Sequence, residues 1–514
     1  MRSRHEGDTM KGYFILGRSL RGDRLRGVLF LLAYAAFLIF VRRYCLIFLP
    51  NTGDEHSILF QAKIFAHLRA WAPAPPPCLS SAPSYIEIAN GKWFSQYPPL
   101  YSLLLAPGLW LGSTTWVQIP LALLMLGLLQ VLLRRLGIGP KSAWALAAAF
   151  GMSPSFIFQS VSYYTHLPAL VLTLGMLLSY LRFEREASPQ WAFWLSLCLG
   201  LGLQIRPYTF LLLSAPLAID FLMVHRKESL GIARRCSLAG LAPILTSALF
   251  YGIWNFLLYG RIGSVASIPY AHAGDNLAKF SWSGFSWPGL WRALGMLEDT
   301  YRWLLGLGWF GSGDLKEKAV GDVNLGLWLG ALSAVYWCRR AGIDESHRRM
   351  TLLLMSLVIS AWIGHMAYPL NGGRYGERLL FEVSWILFLA VAMMFIRVFK
   401  SRRIPLMVWI LTLYSWHLPA TLSHFRKSNL RRMDPYLQTE SPEFADAAVL
   451  LRSVPEWTPR WYARNDPFLR GTQYAAWDRS DSPKLLEREY PGKTIYVYDW
   501  DESRGRGLLA RKRN

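Results

Sequence analysis

Two adjacent acids, Asp54 and Glu55, open the segment NTGDEHSILFQAKIF just beyond the first long apolar run of the chain. Downstream, Lys92, His166, Arg206, Arg374, Glu377 and Arg378 fall in connections between other apolar runs. A carboxylate can take the proton of an attacking hydroxyl. A guanidinium fork matches the oxygens of a phosphate that leaves with growing negative charge. Together these residue types suit transfer of a group from a lipid-linked phosphate. Asp54 and Glu55 are the candidate catalytic acids, and Arg206, Arg374, Arg378 and Lys92 are candidates for the donor phosphate. His166, Tyr97 and Tyr164 are candidates for the substrate pocket. Plainer readings stand beside these. The two acids could cap a helix, since acids favour helix N-termini. Arg206 could be an interfacial anchor, Lys92 a solvated surface charge, and His166 a satisfied structural histidine.

The elements that must position these residues are membrane helices. Of 514 residues, 53% are hydrophobic and 17% charged, with a mean hydropathy of +0.22. These values, with 23 Trp and 24 Tyr, belong to a polytopic membrane protein rather than a soluble one. The net charge of +22 does not point to nucleic acid, because the arginines cluster in short segments between apolar runs, as membrane orientation requires. None of the five cysteines pairs at metal-ligand spacing, so neither a disulfide framework nor a zinc site is indicated.

The basic segment 1–26 belongs in the cytoplasm, and the first span, 27–49, runs outward and is retained. Arg42 and Arg43 near its outer end suit snorkelling to the interface. Residues 50–98 form an outer loop in which HSILFQAKIFAHLRAW has the spacing of an interfacial helix that APAPPP stops. YPPLYSLLLAPGLWLG is short and interrupted by Pro107-Gly108, so it reads as interfacial or re-entrant. Counting it as a span would put the basic RRLGIGPK outside. Further spans are expected at 115–133, 142–158, 168–181, 190–205, 208–224, 236–254, 323–338, 351–367, 379–396 and 404–420, about eleven in all. Between the seventh and eighth, Trp282, Trp287, Trp291 and Trp303 suggest a second outer loop that hugs the interface. This alternation gathers the chemistry-bearing residues on one outer face. Residues 27–420 form the transmembrane domain and 421–514 a small external α/β appendage, in which SPEFADAAVLLRSV reads as a helix capped at Ser441 and KTIYVYDW as a strand.

The segment GDEHSILFQAKIF, followed by GKWFSQYPPLYSLLLAPG, resembles the first outer loop of GT-C fold glycosyltransferases. That group includes protein O-mannosyltransferases and the lipid A aminoarabinose transferase-like bacterial enzymes. GLQIRPYTFLLLSAPLAI, WNFLLYGRIGSVASIPY and GGRYGERLLFEVSWILFLA follow in the family's order, so the resemblance covers residues 27–396. It implies an all-α GT-C bundle in a bacterial inner membrane with its site facing the periplasm. It also implies a polyprenyl-phosphate-linked sugar as donor and a glycan, lipid or protein as acceptor. Asp54 matches the family's first-loop catalytic acid, with Glu55 its neighbour, and Arg206, Arg374 and Arg378 match basic positions near the donor phosphate. Where many relatives carry a second acid after the third span, this chain has YYTHLP, with His166 at the corresponding place. No metal ligand is assigned, and a divalent metal is neither required nor excluded. A transporter, flippase or polymerase of lipid-linked glycans is the rival class. The sequence speaks against transport because its predicted span centres lack acids.

Overall fold

The computed structural model describes residues 6–47, 50, 52–76, 85–225, 229–260, 287–305, 332, 335, 345–366, 378–398, 418–454, 465–477 and 482–512. Arg374, Glu377, Cys78, Cys338 and nearly all of the spans expected at 323–338 and 404–420 lie outside these residues.

Helix α1 (Glu6–Cys45) enters the bundle, and α2 (Gly53–Ala66) follows it. Three short strands come next, β1 (Ala72–Pro73), β2 (Ile86–Ala89) and β3 (Lys92–Ser95), in an antiparallel sheet of order β1-β3-β2. The helices α3 (Pro99–Trp110), α4 (Thr115–Arg135), α5 (Pro140–Gly151), α6 (Pro154–Val161), α7 (His166–Glu186), α8 (Pro189–Leu203), α9 (Pro207–Val224) and α10 (Ser229–Tyr259) run on from there. The helix α11 (Trp287–Leu304) precedes α12 (Glu345–Met366), α13 (Phe381–Val398) and α14 (Leu418–Gln438). Among the described residues, six helices are long and apolar enough to cross a membrane: Gly27–Cys45, Thr115–Arg135, His166–Glu186, Pro207–Val224, Cys236–Tyr259 and Arg348–Met366. Phe381–Phe395 is a shorter apolar one. The chain is a multi-pass membrane protein.

Several details depart from the sequence-based expectation. The span expected at 142–158 is two helices, because Ser153 accepts from the Phe156 N–H and Pro154 starts a new helix at its first position. The 12 residues of α3 reach only about 18 Å, as the short-segment reading required. Arg42 does not snorkel outward. It is buried, donates to the Val161 carbonyl at 2.6 Å, to Thr114 Oγ1 at 2.9 Å and to Gln118, and ties α1 to α4 and the end of α6. The segment α11 is packed into the bundle, burying Ala293, Met296, Tyr301 and Leu304, and its Ala293 carbonyl accepts from Trp362 of α12.

The C-terminal region carries β4 (Ala447–Leu451), β5 (Gln473–Ala476), α15 (Ser482–Glu489), β6 (Thr494–Asp501) and β7 (Arg506–Arg511). Its sheet has the order β5-β4-β6-β7, with β4 parallel to both neighbours and β7 antiparallel to β6. The helix expected over SPEFADAAVLLRSV is a correction. AAVLL is the central strand and is buried at every position, and an uninterrupted apolar run is how a parallel strand covered on both faces reads. Ser441 bonds the Glu443 carboxylate instead of capping a helix. Phe60 and Ile64 of α2 and Trp93 of β3 share one core with Met433, Tyr436, Val449 and Tyr498, so the first loop and the C-terminal region lie on the same side of the bundle.

The ends of the bundle differ in chemistry. At one end Arg349 of α12 grips Asp220 of α9 through Nε (3.0 Å) and Nη2 (2.7 Å) and Glu184 of α7 through Nη1 (2.9 Å). Tyr180 also donates to Asp220. His166 and Arg206, at the starts of α7 and α9, mark the opposite end. Arg349→Met keeps the apolar stem and removes these charge-assisted bonds. With the group a third exposed, the expected loss is about 1–2 kcal/mol of stability. A lower thermal midpoint in detergent with unchanged ligand binding at the far end is the result that checks it.

Candidate active site

The site is built at the start of α2. Thr52 is extended (φ −131°, ψ 161°), and its hydroxyl accepts from the Glu55 N–H at 3.4 Å, the geometry of a helix N-cap. Gly53 is required for close approach, since a Cβ there would sit 2.7 Å from the Tyr85 ring. Tyr85 in turn stacks on Tyr97, ring centroids 6.0 Å apart. Capping is thus the work of Thr52 and leaves Asp54 available. Asp54 Oδ1 accepts from the Tyr97 hydroxyl at 2.6 Å, and Oδ2 accepts from Arg378 Nη1 at 2.6 Å.

Glu55 has a different task. It is fully buried, and its Oε1 accepts from the Tyr163 N–H at 2.9 Å while the Thr52 hydroxyl lies 3.3 Å from Oε2. Its carboxylate holds the connection between α6 and α7 against the first loop. Gln118 holds the same connection by donating to the Ser162 carbonyl, beside the Arg42 bonds. These clamps fix Tyr163, Tyr164 and His166 in register with Asp54.

Arg378 lies one turn before α13, its carbonyl accepting from Phe381 at 3.2 Å, and its guanidinium stacks 4.4 Å from the Tyr164 ring centroid. Burial alone would lower the Arg378 pKa, but the Asp54 carboxylate opposes it and holds the guanidinium charged. Burial pushes the Tyr164 phenol up and keeps it neutral.

Beyond Tyr164 stands a second group. His166 lies edge-on to Tyr164, 5.9 Å between ring centroids. Its Nδ1 is 3.1 Å from Glu382 Oε1, and its Nε2 is 3.1 Å from Arg206 Nη1. Arg206 Nε is 3.1 Å from the same Glu382 oxygen. Pro207 separates α8 from α9, and Arg206, in the irregular residue between them (φ −144°, ψ 75°), is turned out of both helices. Glu382 was not among the sequence candidates. Its signal is an acid four residues after Arg378 in GERLLFE, inside an apolar run where ionisable groups are rare.

The structure therefore joins Asp54, Arg378, Tyr97, Tyr164, His166 and Arg206 through continuous contacts. Lys92 does not join them. Its ammonium donates to the Leu257 carbonyl near the end of α10 and lies 4.3 Å from the Trp71 ring centroid. Arg374 lies outside the described residues. Among those residues no three His, Cys, Asp or Glu side chains gather as metal ligands. One oxygen of Asp54 faces the Tyr97 phenol and the other the Arg378 guanidinium.

No family model and no curated protein matches the sequence. Among solved structures, ArnT from Cupriavidus metallidurans bound to undecaprenyl phosphate is similar over 94% of this chain and 97% of its own, at 12% identity and a TM-score of 0.53. The oligosaccharyltransferase of Archaeoglobus fulgidus, in complex with Zn and sulfate, is similar over 91% of this chain and 68% of its own, at 12% identity and a TM-score of 0.47. The chain has the GT-C fold, in the arrangement seen in ArnT, over nearly its whole length.

Proposed function

We propose that this chain is a membrane glycosyltransferase that moves a sugar from a polyprenyl-phosphate donor to a hydroxyl of a glycan, lipid or protein acceptor. On this reading it works in a bacterial inner membrane with its site facing the periplasm. The observation that carries the proposal is the pairing of Asp54 with Arg378, linked to Arg206 through the rings of Tyr164 and His166. It brings together a base and two guanidinium groups in the fold of a protein solved with undecaprenyl phosphate.

In the proposed reaction the acceptor oxygen bonds to the anomeric carbon as the bond from that carbon to the phosphate oxygen breaks. The leaving oxygen takes the electron pair, and the hydroxyl proton passes to Asp54. Arg378 links the two events. As negative charge grows on the phosphate, the guanidinium leans toward it and releases its hold on Asp54, so the carboxylate becomes a better base when the proton must move. Tyr97 keeps the other carboxylate oxygen in place. Arg206 completes the cationic side of the phosphate seat.

Purified chain in lipid nanodiscs, given polyprenyl-phosphate sugars and candidate acceptors, should form glycosylated product and free polyprenyl phosphate in equal amounts. Mass spectrometry of surface glycans from a strain lacking the chain would name the acceptor. An unchanged glycan profile, together with no donor turnover in nanodiscs, would refute the proposal.

A further inference from the structure

Building on the donor-phosphate reading, we propose that Glu382 is a positioning residue. With His166 it fixes the inner edge of the Arg206 guanidinium so that the outer edge meets the phosphate. Arginine can only donate, so His166 Nε2 must accept from Nη1. The ring proton then resides on Nδ1 and goes to Glu382 Oε1. The same oxygen pairs ionically with Arg206, 3.1 Å from Nε, which closes a ring of three contacts, while the Nε proton goes to Thr209 Oγ1 at 3.3 Å.

Exposure assigns the roles. The side chains of His166 and Glu382 are 3% and 1% exposed, whereas that of Arg206 is 16% exposed. Arg206 is the member that reaches outward, and among the described residues its Nη2 has no protein partner. Glu382 Oε2 likewise has none, so the buried carboxylate acts through Oε1. An arginine already held along one edge loses less rotamer freedom when it binds an anion than a free one does. Nothing in this ring needs to touch the sugar or the acceptor.

The test measures binding of labelled undecaprenyl phosphate to full-length chain in nanodiscs, with no acceptor present. Glu382→Leu removes the oxygen that both neighbours meet and should weaken binding about tenfold to a hundredfold, the range for losing hydrogen bonds to a charged group. Glu382→Gln keeps one oxygen able to accept from His166 and to face Arg206, so it should stay within about threefold of the wild type. In an Arg206→Ala background, Glu382→Leu should add nothing, because a residue acting only through Arg206 has no further effect once Arg206 is gone. In turnover, the donor KM should rise while the acceptor KM holds.

If Glu382→Leu fails to accumulate, Glu382→Asp, which draws the carboxylate back by one methylene, should show the same donor-specific weakening. Additive losses in the Arg206→Ala background would overturn the inference, as would tighter binding by both the Leu and Gln variants, which would make Glu382 a counter-charge instead. Failure of the wild type to bind undecaprenyl phosphate would remove the donor reading itself and the inference with it.

Discussion

Asp54→Asn is expected to slow sugar transfer by about a hundredfold to ten-thousandfold, the usual loss when a general base is removed, at an unchanged level of folded protein. Asparagine keeps the shape of the side chain. Its amide oxygen can still face Arg378, and its amide nitrogen can turn toward the Tyr97 oxygen. The helix start should tolerate the change because Thr52, not Asp54, accepts the first-turn N–H. What remains of a structural contribution is the interaction of the charge with the helix dipole, about 0.3–1 kcal/mol, and the ion pair with Arg378, so turnover is compared at matched amounts of folded protein. A base and a dipole partner therefore differ by orders of magnitude in turnover. Glu55→Gln is the companion variant. An amide oxygen still accepts from the Tyr163 N–H, so its turnover should stay close to normal even where its thermal midpoint falls. Normal turnover by Asp54→Asn with a dead Glu55→Gln would exchange the two roles and refute the assignment.

The contrast between these neighbours marks how far sequence carried the site. Adjacent acids after the first span, ahead of an amphipathic stretch, were enough to find α2 and the outer loop. They could not say which acid meets Arg378 and which the Tyr163 N–H, because that depends on the rotation of α2 against the 162–165 connection. Arg206 and Arg378 stood at connections between spans, where topology already put them on one side. His166 and Tyr164 were legible for the same reason. Glu382 was not, since a single acid inside FEVSWILFLA looks like a tolerated charge at a helix end until His166 and Arg206 arrive from elsewhere in the chain. Arg42 misled for the opposite reason. Its place near a span end suggests snorkelling, and only the packing of α1 against α4 and α6 reveals three internal acceptors. Lys92 faces Trp71 and α10 because of the β3 register, which the short first-loop strands do not announce. Ser441 and Glu443 make SPEFADAAVLLRSV read as the start of a helix, the continuous apolar run AAVLL carries no period against it, and the two parallel neighbours decide for a strand.

Removing residues 440–514 is expected to abolish transfer by taking away the brace of α2, although the deletion touches no candidate catalytic group. The first loop has little core of its own. Phe60, Ile64, Ile86 and Trp93 are buried in a cluster completed by Val449, Tyr474, Ile495 and Tyr498 of the sheet. Stripping that cover would expose several large side chains at about 1.5–3 kcal/mol each, a total on the order of 10 kcal/mol and comparable to the stability of a whole domain. The far end of α2 is held as well. His67 lies 4.8 Å from the Phe468 ring centroid and receives a bond from Arg470, while Arg69 stacks 5.4 Å from Phe468. The end of α1, ahead of α2 in the chain, is tied to α14, where Asn429 donates to the Cys45 carbonyl at 2.7 Å. Loosening α2 at its C-terminal end moves Asp54 at its N-terminal end, since a helix of 14 residues is a rigid rod on this scale. The milder variant Phe468→Ala should therefore lower kcat while leaving undecaprenyl phosphate binding largely intact, because Arg206 and Arg378 are mounted on other helices. If the appendage instead recruits the acceptor, the truncated chain would stay folded, bind donor normally and regain its full rate at high acceptor concentration. That recovery would refute the bracing role, and persistent loss at saturating acceptor would support it.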